Sequence, residues 1–195
     1  MMSARRSLGG ALALLLFVAG VAAVAGARWM GPIAEADEAF AAGDFDRALG
    51  AYALAESRFD RLPVTQQLLA REYARTIAAQ LWIYYHRQRF DELIDKAQRA
   101  PDAAAPHFWA GLAFFERSRG DGKAEAQFDA LNRAEEELRR AVEADPGDWD
   151  TKYDFELVTR LAEALRKQPR TPPNQLLQLL RPQPRPGTRP KRQVG

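Results

Sequence analysis

The segment Gly43-Asp44-Phe45-Asp46-Arg47-Ala48-Leu49-Gly50-Ala51-Tyr52-Ala53-Leu54-Ala55 decides the fold. Phe45, Ala48, Tyr52 and Ala55 are spaced three, four and three residues apart, which puts them on one face of a helix. An aromatic residue between two alanines suits close packing against a second helix. The pattern then recurs. Moving 45 residues on gives Phe90, Leu93, Ala97 and Ala100, and moving a further 41 gives Leu131, Ala134, Leu138 and Ala141. All three sets keep the same internal spacing, so the chain carries an internal repeat.

Each set is expected to be the second helix of a hairpin. The first helices lie upstream, over residues 32–42, 64–88 and 106–118, with turns at Gly43-Asp44 and Gln88-Arg89. Helical periodicity dominates from residue 35 to residue 167, and no stretch alternates long enough at period two to make a strand. The small-aromatic-small series resembles the tetratricopeptide repeat (TPR), which implies an all-α solenoid of about three hairpins. The family repeat is about 34 residues long. The 45-residue step therefore implies an extended connection over residues 58–67 with Pro63 at its corner, and the third copy an insertion over 117–127. Asp145-Pro146-Gly147 stops the third copy, and residues 148–167 form a last amphipathic helix. Trp149, Tyr153, Leu157, Leu161 and Leu165 line one of its faces, which is expected to cap the open end of the solenoid.

At the N-terminus, residues 8–27 carry no charge, and a helix of that length spans a hydrocarbon core of roughly 30 Å. Arg5 and Arg6 before it predict a cytoplasmic N-terminus, and Trp29 suits the far interface. The expected arrangement is a signal-anchor segment over residues 1–30, a TPR-like domain over 31–168 and a Pro/Arg-rich flexible tail over 169–195. In a Gram-negative cell the anchor would be single-pass in the inner (cytoplasmic) membrane, with the bulk of the chain periplasmic. The alternative is a cleaved signal peptide and a periplasmic product, since Ala25-Gly26-Ala27 fits the A-x-A cleavage pattern.

Lys and Arg number 28 and Asp and Glu 26. Arg5, Arg6, Arg170, Arg181, Arg185, Arg189, Lys191 and Arg192 lie in the two ends, which hold no acid. Without those eight, residues 28–168 carry 20 basic and 26 acidic groups. The basic isoelectric point thus belongs to the ends, and nucleic acid is not the expected partner of the body. The absence of cysteine excludes disulfides, thiolate metal sites and a cysteine nucleophile. His86 and His107 stand in no metal-binding spacing and no glycine-rich phosphate loop occurs. Glu135-Glu136-Glu137 reads as a solvated helix face. The chain is expected to be no enzyme, with no metal, cofactor or small-molecule substrate.

The expected chemistry is recognition. On the first helix of the second hairpin, Ile77, Leu81 and Tyr84 form a core stripe. Arg75, Trp82, Tyr85 and His86 share the neighbouring face, which would look into the concave side of a solenoid. Trp109 and Glu116 would join it from the third hairpin, and Tyr153 and Asp154 from the last helix. Aromatic residues with a few charges suit a peptide segment or partner helix. In the tail, Leu176, Leu177, Leu179 and Leu180 form a second docking candidate. The other functional class is a structural membrane tether whose basic tail contacts anionic lipid, with no dedicated groove.

The single N-terminal span, the GDFDRALGAYA segment and the closing GDWDTKYDFELVTRLAEALR together resemble the MxaK-type proteins. These are membrane-anchored TPR proteins associated with bacterial methanol dehydrogenase clusters, which also contain MoxR-type ATPases and von Willebrand factor A (VWA) proteins. The resemblance implies an accessory role in dehydrogenase maturation, with VWA-domain membrane proteins as partners. Lys152-Tyr153-Asp154-Phe155-Glu156-Leu157 is similar to a Tyr-Asn-Leu-Glu-Leu element of that family. Asp154 and Phe155 stand where Asn and Leu would be expected, and an ionised Asp can only accept hydrogen bonds.

Overall fold

A computed structural model describes residues 2–120 and 123–167. Its regular elements are all helices: α1 (Met2–Ala41), α2 (Phe45–Arg61), α3 (Pro63–Leu68), α4 (Ala70–His86), α5 (Phe90–Arg99), α6 (Ala104–Ser118), α7 (Ala124–Ala144) and α8 (Trp149–Lys167). α1 packs on α2, α4 on α5 and α6 on α7, and each pair packs on the next, with α8 against α7. The leucine cluster Leu176, Leu177, Leu179 and Leu180 lies outside the described residues.

α1 runs without a break through the expected boundary at residue 30 and through Pro32. Its N-terminal half leaves Leu15, Phe17, Val21 and Val24 exposed. By length and composition the helix can cross a membrane. A proline inside a helix leaves the carbonyl four residues earlier without its usual donor. Here that carbonyl belongs to Arg28, and Arg58 Nη1 on α2 donates to it at 2.7 Å and to the Trp29 carbonyl at 3.1 Å. A side chain from the second helix thus satisfies an acceptor that the first cannot.

The repeated faces are the core. Ala48, Tyr52 and Ala55 of α2 are buried, as are Leu93 and Ala97 of α5 and Leu131, Ala134, Leu138 and Ala141 of α7. The first two turns also repeat in backbone detail. Gly43 and Gln88 both have positive φ, 77° and 56°. Asp44 N–H reaches Ala39 O and Arg89 N–H reaches Tyr84 O, both at 2.9 Å. That left-handed residue with a bond from its successor back five residues closes each helix in a Schellman motif. Asp44 then caps α2, accepting from Arg47 N–H at 3.2 Å. In the third hairpin Gly111 of α6 makes room for Leu138 of α7. A Cβ there would lie 2.7 Å from Leu138 Cγ.

Three expectations need correction. Residues 58–67 are not an extended connection: α2 continues to Arg61 and α3 starts at Pro63 in the favoured first-turn position. A second break at Leu69 separates α3 from α4, so residues 64–88 are two helices. The third correction is the face that α8 buries. Thr151, Val158 and Ala162 are buried with Phe155 packed beside them, while Trp149 is 77% and Tyr153 68% exposed. Leu157, Leu161 and Leu165 are exposed with them. Small side chains on the Thr151–Ala162 face bring α8 close to α7, where Arg166 reaches Asn132 Oδ1 at 2.9 Å and pairs with Glu135. The bulky stripe is left outside.

Candidate functional site

The C-terminal ends of α1 and α4, the start of α2 and α5, and the middle of α6 bring a run of aromatic rings together. Trp82 contacts Phe40 at 4.9 Å and Phe45 at 5.6 Å between ring centroids, so the first and second hairpins meet there. Tyr85 contacts Phe90 at 5.9 Å and Trp109 at 5.3 Å, which continues the run to the third. His86 closes the row, stacked on Trp82 at 3.6 Å and edge-on to Trp109 at 6.4 Å. Trp82, Tyr85 and Trp109 are half-buried and His86 is exposed. The phenylalanines at this site escaped sequence reasoning as site residues, although Phe45 and Phe90 carry the repeat.

The polarity of the row is defined. His86 Nδ1 lies 2.9 Å from the Trp82 carbonyl. A carbonyl only accepts, so Nδ1 carries the proton and donates, and in the neutral ring Nε2 is left as an acceptor. At the inner end the Tyr85 hydroxyl faces Glu116 and Asp154. Burial, then the charges of these two carboxylates, raises the Tyr85 pKa. The Asp154 carboxyl is also raised, by burial and then by the charges of Asp150 and Asp148.

Of the residues singled out from sequence, Trp82, Tyr85, His86, Trp109, Glu116 and Asp154 thus come together. Arg75 lies two turns before Trp82 and its Nη2 pairs with Asp37 Oδ2 at 2.8 Å. The same Asp37 accepts from the buried Tyr52 hydroxyl at 2.7 Å. Arg75 therefore ties α4 to α1 rather than standing free. Tyr153 belongs to the outward stripe of α8 and does not join the row.

A cleft of about 660 Å³ opens between the α5–α6 connection and α7. His107 sits in it, with Nδ1 2.7 Å from Glu137 and Nε2 2.6 Å from Asp102. Glu137 and Glu135 are held in cross-helix contacts, to His107 and Arg166, which corrects the reading of 135–137 as a solvated face. Glu136 alone of the three bonds to its own helix, through Arg139 and Arg140. The remaining charges of the cleft pair among themselves. Among the described residues no group of His, Asp and Glu could hold a metal ion.

No protein-family model, curated protein or solved structure matches the chain.

Proposed function

We propose that the chain is a non-enzymatic, membrane-anchored adaptor of the tetratricopeptide type, held by the N-terminal half of α1 with its helical body on the periplasmic side of the inner membrane. The Trp82–His86–Trp109 row receives a segment of a partner protein. The resemblance to MxaK-type proteins assigns the partner to the VWA-domain membrane proteins that act with a MoxR-type ATPase in maturing a dehydrogenase, methanol dehydrogenase being the family example.

The observation that carries this reading is the partial exposure of the row. A purely structural aromatic cluster would be sealed by the hairpins it joins. Here the outermost ring is a histidine in the open, with a free acceptor nitrogen beside apolar faces. Aromatic rings fixed by their neighbours lose little freedom on binding and dominate affinity at interfaces.

The test is site-specific photocrosslinking in intact membranes. A benzoylphenylalanine at position 86 should yield an adduct to a VWA-domain protein. The same group at position 136, on the His107 cleft of α7, should not. Absence of any protein adduct at position 86 would remove the adaptor reading.

A further inference from the structure

Three arginines of the body pair with carboxylates across hairpins. Arg75 holds Asp37, Arg87 holds Asp46 at 3.0 Å and Arg117 holds Asp91 at 3.2 Å. The corner where α2 passes into α3 and α4 is different. Arg28, Arg58 and Arg61 gather there and none of them has a carboxylate partner among the described residues. Arg58 spends one nitrogen on the Arg28 and Trp29 carbonyls. Asp60, the nearest acid in sequence, accepts instead from Gln66 Nε2 at 3.2 Å. Arg28, Trp29, Arg58, Arg61 and Leu62 line a recess of about 480 Å³.

The same corner exposes apolar side chains. Leu62 and Val64 are open, and Leu68 is 75% exposed. No buried residue lies on α3. The position of this corner along α1 is fixed by Arg58, which is level with Arg28. The uncharged run ends at residue 27, so Arg28 and Trp29 stand where the apolar helix meets polar sequence. α2 runs antiparallel to α1, and Leu62 lies four residues beyond Arg58, about 6 Å further toward the apolar run at 1.5 Å per residue.

We propose that the α2–α3 corner is a membrane-surface site: Leu62, Val64 and Leu68 enter the interface of the bilayer that α1 crosses, and Arg28, Arg61 and the free nitrogens of Arg58 bind phosphates of anionic phospholipid headgroups. This rests on the reading of α1 as a retained anchor. The chemistry is that of an interfacial amphipathic segment, with apolar groups entering the headgroup–acyl boundary and cations above them. Trp29 beside the recess suits the same depth. The consequence is orientation. A helix anchor leaves the body free to tilt and spin, whereas a second contact level with its end sets the aromatic row at one angle and height above the membrane.

The chain has no cysteine, so single cysteines can report on it in full length. Val18→Cys, Val64→Cys, Leu68→Cys and Glu136→Cys, each labelled with an environment-sensitive fluorophore, would be reconstituted in vesicles of phosphatidylcholine and phosphatidylglycerol. Lipids bearing a nitroxide near the carbonyl region should quench the probes at 64 and 68 and leave the probe at 136 untouched. Nitroxide-labelled phosphatidylglycerol should quench 64 and 68 better than labelled phosphatidylcholine. That preference should fall about fivefold for each arginine removed in Arg28→Gln and Arg61→Gln, with the basic tail still present. Quenching at 18 without quenching at 64 and 68 overturns the surface site and leaves the anchor standing. No membrane burial at 18 overturns the anchor itself. Loss of the phosphatidylglycerol preference on adding inorganic phosphate would make the recess a phosphate site and overturn the lipid assignment.

Discussion

Arg58 donates to the carbonyl of Arg28, the acceptor that Pro32 deprives of its helical partner. The two residues are 30 apart, and the bond joins the end of the apolar helix to the first repeated helix. The Arg28 carbonyl is exposed and the Trp29 carbonyl partly buried, so the pair of bonds is worth about 1 kcal/mol. Arg58→Leu should therefore destabilise the body by about that amount in denaturant unfolding of the detergent-solubilised chain. In a Pro32→Ala background residue 32 regains its N–H, and the same substitution should cost measurably less. Equal costs in both backgrounds would show that Arg58 acts elsewhere.

Gln88 occupies the left-handed slot that Gly43 fills one repeat earlier. A residue with a Cβ is strained there by roughly 1 kcal/mol, whereas glycine is not. Gln88→Gly should stabilise the protein by about 1 kcal/mol, and Gly43→Val should destabilise it by a similar amount or more. Unfolding midpoints that move in the same direction for both would contradict the shared turn.

The face that α8 buries predicts a contrast between adjacent residues. Val158→Ser removes a buried side chain and leaves a hydroxyl against α7, and should cost about 2–3 kcal/mol. Leu157→Ser alters an exposed residue and should stay within about 0.5 kcal/mol. Comparable losses at both positions would mean that the stripe is covered in the intact protein.

That contrast also marks what the sequence could and could not reveal. The hairpins were legible because Ala48, Tyr52 and Ala55 repeat their spacing, and the burial of Leu93, Ala97, Leu131 and Ala134 follows the same template. The orientation of α8 was not. Its most apolar stripe, Trp149 to Leu165, has ideal helical spacing, but the buried face is chosen by how near small residues let α7 come. The break at Leu69 carries neither glycine nor proline, so nothing local announces it. Phe40 joins the candidate site from outside any repeated set, through a long-range contact that a local pattern cannot encode. Glu137 likewise gains its role from His107, 30 residues away.

His107 adds a pH dependence whose sign follows from its surroundings. Burial disfavours the imidazolium, but hydrogen bonds to Asp102 and Glu137, with the charges of both, outweigh it and raise the pKa above the usual 6.5. A histidine with a raised native pKa stabilises the fold fully below its unfolded value near 6.5. That contribution disappears as pH rises through the higher native value. Asp102 is 95% exposed on its side chain, so solvent weakens its share and Glu137 supplies most of the effect. Denaturation across pH 6 to 8 should show stability falling upward through this window, with the slope reduced in His107→Gln. An unchanged slope would assign the titration to another group.

The aromatic row separates recognition from packing. Trp82 is wedged against Phe40 and Phe45, so Trp82→Ala should destabilise the body by about 3 kcal/mol and says little about binding. Its neighbour His86 is the informative position, because the exposed ring touches Trp82 and Trp109 from outside. His86→Ala should leave stability within about 0.5 kcal/mol, while weakening capture of the partner by at least tenfold if this ring and its acceptor nitrogen meet the bound segment. Tyr85→Phe probes the other end of the row. It keeps the ring against Phe90 and Trp109 and removes the hydroxyl that faces Glu116 and Asp154, so a binding loss there would mean that the partner reaches the acidic end. A folded His86→Ala protein that holds its partner as tightly as the unmodified chain would reduce the row to a structural seam between hairpins, and recognition would have to lie on another surface.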